Sequence, residues 1–100
     1  MSKKDEILSV IRHLKPKYQK EGVVILGLFG SYAKDTASKY SDIDIAYKLD
    51  YDKFSKHYKD GFSKLIRLEE IKKELEKEFK TKVDFVPNSN QDIQKDLISV

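Results

Sequence analysis

Ile7, Val10, Ile11 and Leu14 recur at i, i+3, i+4 and i+7, which predicts an amphipathic first helix. Ser2 stands where it can cap the start, and Asp5 and Glu6 put negative charge in the first turns, where the helix dipole favours it. Pro16 predicts an end near Lys15, and Glu21-Gly22 reads as a turn. Val23 to Phe29 is β-branched and continuously apolar, as for a strand covered on both faces. The small, polar stretch Gly30 to Ser41 carries short helical character around Tyr32 to Lys34. Asp42 to Tyr47 then alternates polar with apolar, a strand pattern. Asp52 to Phe62 is ambiguous, with Gly61 either interrupting or ending a helix. Phe62, Leu65, Leu68, Ile71, Leu75 and Phe79 suit a long helix, with Glu69–Lys73 and Glu76–Lys80 as i,i+4 pairs on its outer face. Lys82 to Val86 predicts a short strand stopped by Pro87, Asn88 to Asn90 a loop, and Gln91 to Val100 a last short helix. The order α-β-(short α)-β-α-β-α, without repeat or linker, predicts one α/β domain over residues 1–100, a small sheet backed by helices.

Composition narrows the chemistry. With 100 residues there is room for one small core, and 37% charged against 39% hydrophobic residues is a globular balance. Twenty Lys and Arg against 17 Asp and Glu give +3, a surplus too small to argue for nucleic-acid binding. The absence of Cys removes disulfides, thiolate chemistry and Cys-ligated zinc, and two isolated His make no His-rich metal site. Val23 to Phe29 is far shorter than a membrane span, and Met1-Ser2-Lys3-Lys4 leads into no signal-peptide core. The expectation is a soluble, cytoplasmic protein with no membrane partner.

Two acids at one end of a strand call for a physical reason. Asp42 and Asp44 lie two apart, so a strand aims both at one face and Ile43 and Ile45 at the other. Like charges at that spacing raise each other's pKa unless a cation sits between them. Mg²⁺ suits such hard oxygen ligands and takes one or two carboxylates, waters and substrate phosphates. The plain alternative is a solvated strand edge with two surface acids. Upstream, Phe29-Gly30-Ser31 follows an apolar strand and opens a short helix, where glycine permits close approach and serine offers a hydroxyl. That pairing sets a candidate phosphate cradle beside a candidate metal site. Asp84, between Val83 and Phe85, adds a third carboxylate if its strand lies beside Asp42–Tyr47, as metal ligand or as general base. Taken alone, Asp84 reads equally well as an exposed edge residue.

Gly30-Ser31-Tyr32-Ala33-Lys34-Asp35 followed by Ser41-Asp42-Ile43-Asp44 resembles the minimal nucleotidyltransferase signature of the polymerase-β-like superfamily, Gly-Ser-x-Ala-Arg-Gly and then Ser-Asp-x-Asp. Val83-Asp84-Phe85-Val86 is similar to that family's third acidic strand, so the resemblance runs from about Ile7 to Pro87. It implies a small mixed β-sheet backed by helices, the polymerase-β-like nucleotidyltransferase fold. It implies that Gly30, Ser31 and Lys34 bind nucleotide, that Asp42 and Asp44 ligate Mg²⁺, and that Asp84 is third ligand and base. Lys34 stands where the family has Arg, which keeps charge but not bidentate geometry, and Asp35 replaces Gly. Asp tolerates a left-handed backbone better than most residues, but its charge beside a triphosphate is unfavourable. Among small members, the resemblance implies the antitoxin of a toxin–antitoxin pair. Such a protein transfers AMP from ATP onto a tyrosine hydroxyl of a HEPN-type ribonuclease toxin. A chain of this length leaves no room for the extra domain with which larger members grip the acceptor, so that surface is expected from another molecule.

Two other readings stay open. One is a catalytically weak or inactive subunit that masks its partner, which Asp35 supports; the other is transfer onto RNA or a small molecule. Tyr47, Tyr51, Phe54, Tyr58 and Phe62 interleave with Lys53, Lys56 and Lys59 and could stack an adenine or receive a partner protein. The plainer reading puts Phe54 and Phe62 in the core with the tyrosines at its margin. His13 and His57 are expected at the surface. Lys53 to Lys82 carries 10 basic and 6 acidic residues, the pattern of a solvated helix face.

Overall fold

A computed structural model describes residues 2–38, 40–88 and 96–100. The elements run α1 (Lys3–Gln19), β1 (Val23–Phe29), α2 (Gly30–Ala33), β2 (Ile43–Leu49), α3 (Tyr51–His57), α4 (Gly61–Phe79), β3 (Val83–Pro87) and β4 (Ile98–Ser99). The strands form one mixed sheet in the order β3-β2-β1-β4. β2 lies antiparallel to β1 and parallel to β3, and α3 and α4 supply the crossover that a parallel pair requires. Ile7, Leu8 and Ile11 of α1, Ile25 and Leu28 of β1, Ile43 and Ile45 of β2, and Ile71 and Leu75 of α4 meet in one buried cluster. This is the small α/β architecture that the alternation of patterns predicts.

Helix α1 starts as its sequence suggests, with the Ser2 hydroxyl accepting from the Asp5 amide at 3.2 Å. It does not stop at Lys15. It continues through Pro16 to Gln19, because the last turn carries Tyr18, which is buried and donates its hydroxyl to Glu74 of α4 at 2.9 Å. Proline removes the bond to the Arg12 carbonyl on a face where both residues are exposed and water can replace it.

The ambiguous stretch before α4 resolves into two capped helices. Asp50 caps α3 through the Lys53 amide at 3.2 Å, and Asp60 caps α4 through the Ser63 amide at 2.7 Å. Gly61 therefore opens α4 rather than interrupting or ending a helix. The expected apolar stripe of α4 is only partly buried: Phe62 and Leu65 are exposed, whereas Leu68, Ile71, Leu75 and Phe79 pack on the core. Each i+3 step falls about 60° short of a full turn, so three of them carry the stripe about 180° round the helix between Phe62 and Ile71. Phe54 is buried as expected and Phe62 is not; His13 and His57 are exposed.

The C-terminus departs from the expected helix. Ile98–Ser99 forms β4, pairing with Leu28 and Gly27, and the Val100 amide donates to the Leu26 carbonyl at 3.0 Å. This covers the edge that β1 would otherwise leave open. Gln91–Lys95, the first half of the expected helix, lie outside the described residues, as do Ser89 and Asn90 of the expected loop. The register between β1 and β2 shifts between Ile25 and Gly27. A Cβ at Gly27 would come within 2.0 Å of the Ile98 carbonyl oxygen, so glycine is what lets β4 close in.

Arg67 joins the helical layer to the first turn. Its Nε and Nη2 each donate to Glu21 at 2.8 Å, and its Nη1 donates to Glu74 at 2.9 Å. Tyr58 also donates its hydroxyl to Glu21. The bond from the Arg67 guanidinium holds the Glu21 carboxyl below its usual range despite partial burial.

Candidate active site

The parallel register sets Asp44 of β2 directly across from Asp84 of β3. The antiparallel register on the other side sets Asp44 across from Phe29, the residue before Gly30. Asp44 thus stands between a second carboxylate and the Gly30-Ser31 bend. Asp42 lies just ahead of β2, on an approach closed by the Ser38 amide donating to the Ser41 hydroxyl at 2.9 Å. The Ile43 amide donates to the Lys82 carbonyl at 3.0 Å and starts the parallel ladder.

Gly30 has φ +74 and opens α2. A Cβ there would lie 2.0 Å from Asp44 Oδ2, so the backbone comes as close to the carboxylate as only glycine permits. Ser31 follows in the first turn of α2, half-buried.

The electrostatics reflect gathered negative charge. Burial pushes the Asp44 carboxyl up to about 6, and hydrogen bonding to Asp84 together with the charges of Asp84 and Asp42 pushes the same way. Asp44 is half-buried, while Asp42 and Asp84 are exposed. Among the described residues, no three His, Cys, Asp or Glu side chains are grouped to hold a metal ion. Asp44 and Asp84 form a pair, and Asp42 acts on it through space. Mg²⁺ asks for less than an all-protein cage, needing one or two carboxylates and completing its shell with water and phosphate oxygens. The donor set is all hard oxygen, and a cation would offset the repulsion that raises Asp44, so these residues fit the ion.

Lys34 is not brought to the carboxylates. It caps the end of α2, exposed, with Nζ 3.4 Å from Asp96 near the C-terminus. Asp35 adopts the left-handed backbone, φ 60, that makes its replacement of glycine tolerable, and its carboxylate pairs with Lys4 at 3.1 Å. Its charge is therefore met from α1, a contact across 31 residues that local sequence does not signal. A cavity of about 480 Å³ is lined by Tyr32, Ser38 and Phe79 among others, and none of the three carboxylates lines it.

A four-stranded mixed sheet with a glycine-serine bend against paired strand carboxylates has the architecture of a nucleotidyltransferase domain. The family model described as "Nucleotidyltransferase domain" matches residues 5–98, and the chain belongs to that family. No curated protein matches it. Among the described residues, no helix is long and apolar enough to cross a membrane.

Proposed function

We propose that this nucleotidyltransferase domain moves AMP from ATP onto a hydroxyl, with the tyrosine of a HEPN-type partner protein as acceptor and silencing of that toxin as the outcome. The observation that carries the reading is the juxtaposition of Asp44, in register with Asp84, and the Gly30 backbone. Asp44 and Asp84, with Asp42 beside them, would hold Mg²⁺. Bound there, the ion would supply charge neutralisation for the phosphates and a lowered pKa for the acceptor hydroxyl.

The chain's own groups do the rest. Backbone amides at the Gly30-Ser31 bend and the Ser31 hydroxyl bind the β- and γ-phosphates and fix the α-phosphorus before the carboxylates. Asp84, exposed on β3, takes the proton of the acceptor hydroxyl as its oxygen bonds to the α-phosphorus. The bond from that phosphorus to the bridging oxygen breaks and pyrophosphate leaves. Lys34, held toward Asp96, serves by charge at the rim of the nucleotide site rather than as a fork on phosphate. Pairing of Asp35 with Lys4 favours turnover over a purely masking subunit, because it offsets the charge that would oppose a triphosphate.

The test is label transfer from α-labelled ATP with Mg²⁺, offered a HEPN-type protein, RNA and small hydroxyl compounds in separate arms. Label should enter the protein arm and disappear with Asp42→Asn or Asp44→Asn. Label confined to RNA or a small molecule would reassign the acceptor. Partner inhibition that persists with neutralised carboxylates and no labelling would make the chain a masking subunit.

A further inference from the structure

The cavity of about 480 Å³ takes no part in the chemistry assigned to the carboxylates. Its lining combines Lys3 at the start of α1, Tyr32 of α2, Ala37 and Ser38 just beyond it, and Phe79, Lys80 and Thr81 where α4 ends. Tyr32 and Phe79 pack against the core cluster that Ile43 and Ile45 join, whereas strand alternation turns Asp44, between those two, to the opposite face. The walls are of two chemical kinds. Tyr32, Ala37 and Phe79, all half-buried, offer ring and methyl surface, while Lys3 and Lys80 offer ammonium groups and Ser38 and Thr81 offer hydroxyls. No Asp or Glu lines the cavity. Asp35 borders an adjoining cavity and pairs with Lys4 at 3.1 Å, and Glu76 accepts from the Val83 amide at 3.1 Å. Glu6 stands one turn along α1 from Lys3 and outside the lining, and Glu78 borders a separate cleft that it shares with Lys17 and Lys77. Among the described residues neither Lys3 nor Lys80 is in an ion pair. Lys80 also holds φ 56 at the end of α4, a left-handed backbone that ordinarily falls to glycine and that a side chain adopts at a cost.

We infer that this cavity is a second ligand site, separate from the carboxylate pair, for a small molecule that joins a flat ring to a phosphate, the size and chemistry of a mononucleotide. Its volume of about 480 Å³ falls within the range of small-molecule sites, about 300–1,000 Å³. The ring lies against Tyr32 and Phe79, and the phosphate takes charge-assisted hydrogen bonds from Lys3 and Lys80, with the Thr81 hydroxyl as a neutral donor. With lysines and no carboxylate in the lining, the phosphate is held without a metal ion. Tyr32 follows Ser31, and the Ser38 amide donates to the Ser41 hydroxyl just ahead of Asp42, so an occupant braces both segments that lead to the carboxylate site. The inference stands whether or not nucleotide is transferred there.

The test is titration of AMP into the Asp44→Asn protein in EDTA, which silences the carboxylate site, read by calorimetry and amide NMR shifts. Adenosine and inorganic phosphate are separate arms. AMP should saturate one site and move the amides of Tyr32, Ala37 and Thr81, while adenosine and phosphate alone bind about tenfold more weakly or less. Lys80→Gly should weaken AMP about tenfold while the melting midpoint holds or rises, because glycine relieves the left-handed backbone. Lys3→Gln should weaken it comparably, and Ala37→Trp, which fills the cavity and keeps both lysines, should abolish binding. Phosphate binding as tightly as AMP, AMP binding untouched by Lys80→Gly and Ala37→Trp, shifts confined to Gly30 and Asp84, or no saturable binding would each overturn the inference. Failure of label transfer onto every acceptor bears only on the reading of the carboxylates.

Discussion

Replacing Asp44 with Asn should stabilise the metal-free protein above pH 6. Asp44 has a folded pKa near 6 against an ordinary 3.8, raised first by burial and then by Asp84 and Asp42. Between those values the folded state binds the extra proton, so stability falls as pH climbs through the window, and the full penalty stands above it. A shift of that size corresponds to about 3 kcal/mol undiminished. Asp44 is only half-buried, and solvent screening reduces the figure to roughly 1 kcal/mol. Asn keeps the shape, removes the charge and can donate to Asp84. In a domain of this size about 1 kcal/mol moves the midpoint by about 4–8 °C. Thermal melts in EDTA should show Asp44→Asn above wild type by that amount at pH 8, with the gap closing toward pH 4. Adding Mg²⁺ should raise the wild type and leave the variant unmoved. A variant less stable than wild type at pH 8, or a gap independent of pH, would refute the electrostatic account of the pair.

Other substitutions probe the frame around that pair. Gly30→Ala adds a Cβ 2.0 Å from Asp44 Oδ2 at φ +74; we expect a loss of about 1–2 kcal/mol in urea unfolding, and weakened nucleotide binding by calorimetry. Arg67→Ala leaves Glu21 and Glu74 without their shared guanidinium, with a tyrosine hydroxyl still donating to each, and should cost about 2 kcal/mol in the same unfolding assay. Pro16→Ala restores an amide donor inside α1 and should raise stability by about 1–2 kcal/mol once the lost rigidity of the unfolded chain is counted; a lower melting midpoint would contradict the reading of α1.

The regular elements were legible wherever pattern and capping agreed: the α1 stripe behind Ser2, the apolar β1, and the alternation that opens β2. Legibility failed where distant contacts decide. Pro16 reads locally as a stop, yet Tyr18 finds Glu74 on a helix 56 residues away and carries α1 onward. The α4 stripe misleads at Phe62 because successive i+3 steps drift off the core face. β4 exists because β1 has an edge to cover, which no local propensity in Ile98-Ser99 announces. In the candidate site, the pairing of Asp44 with Asp84 was readable only on the condition that their strands are neighbours, and the crossover through α3 and α4 makes them so. The ion pair of Lys34 with Asp96, near the other end of the chain, had no local signal in the sequence.

The most direct measurement is calorimetric titration of ATP into the protein, with and without Mg²⁺, for wild type, Asp44→Asn and Asp84→Asn. Saturable binding by wild type that requires Mg²⁺ and is lost in both variants is the predicted result. ATP binding of equal strength in EDTA, or an Asp84→Asn variant that binds Mg²⁺ and ATP like wild type, would contradict the assignment of the carboxylate pair.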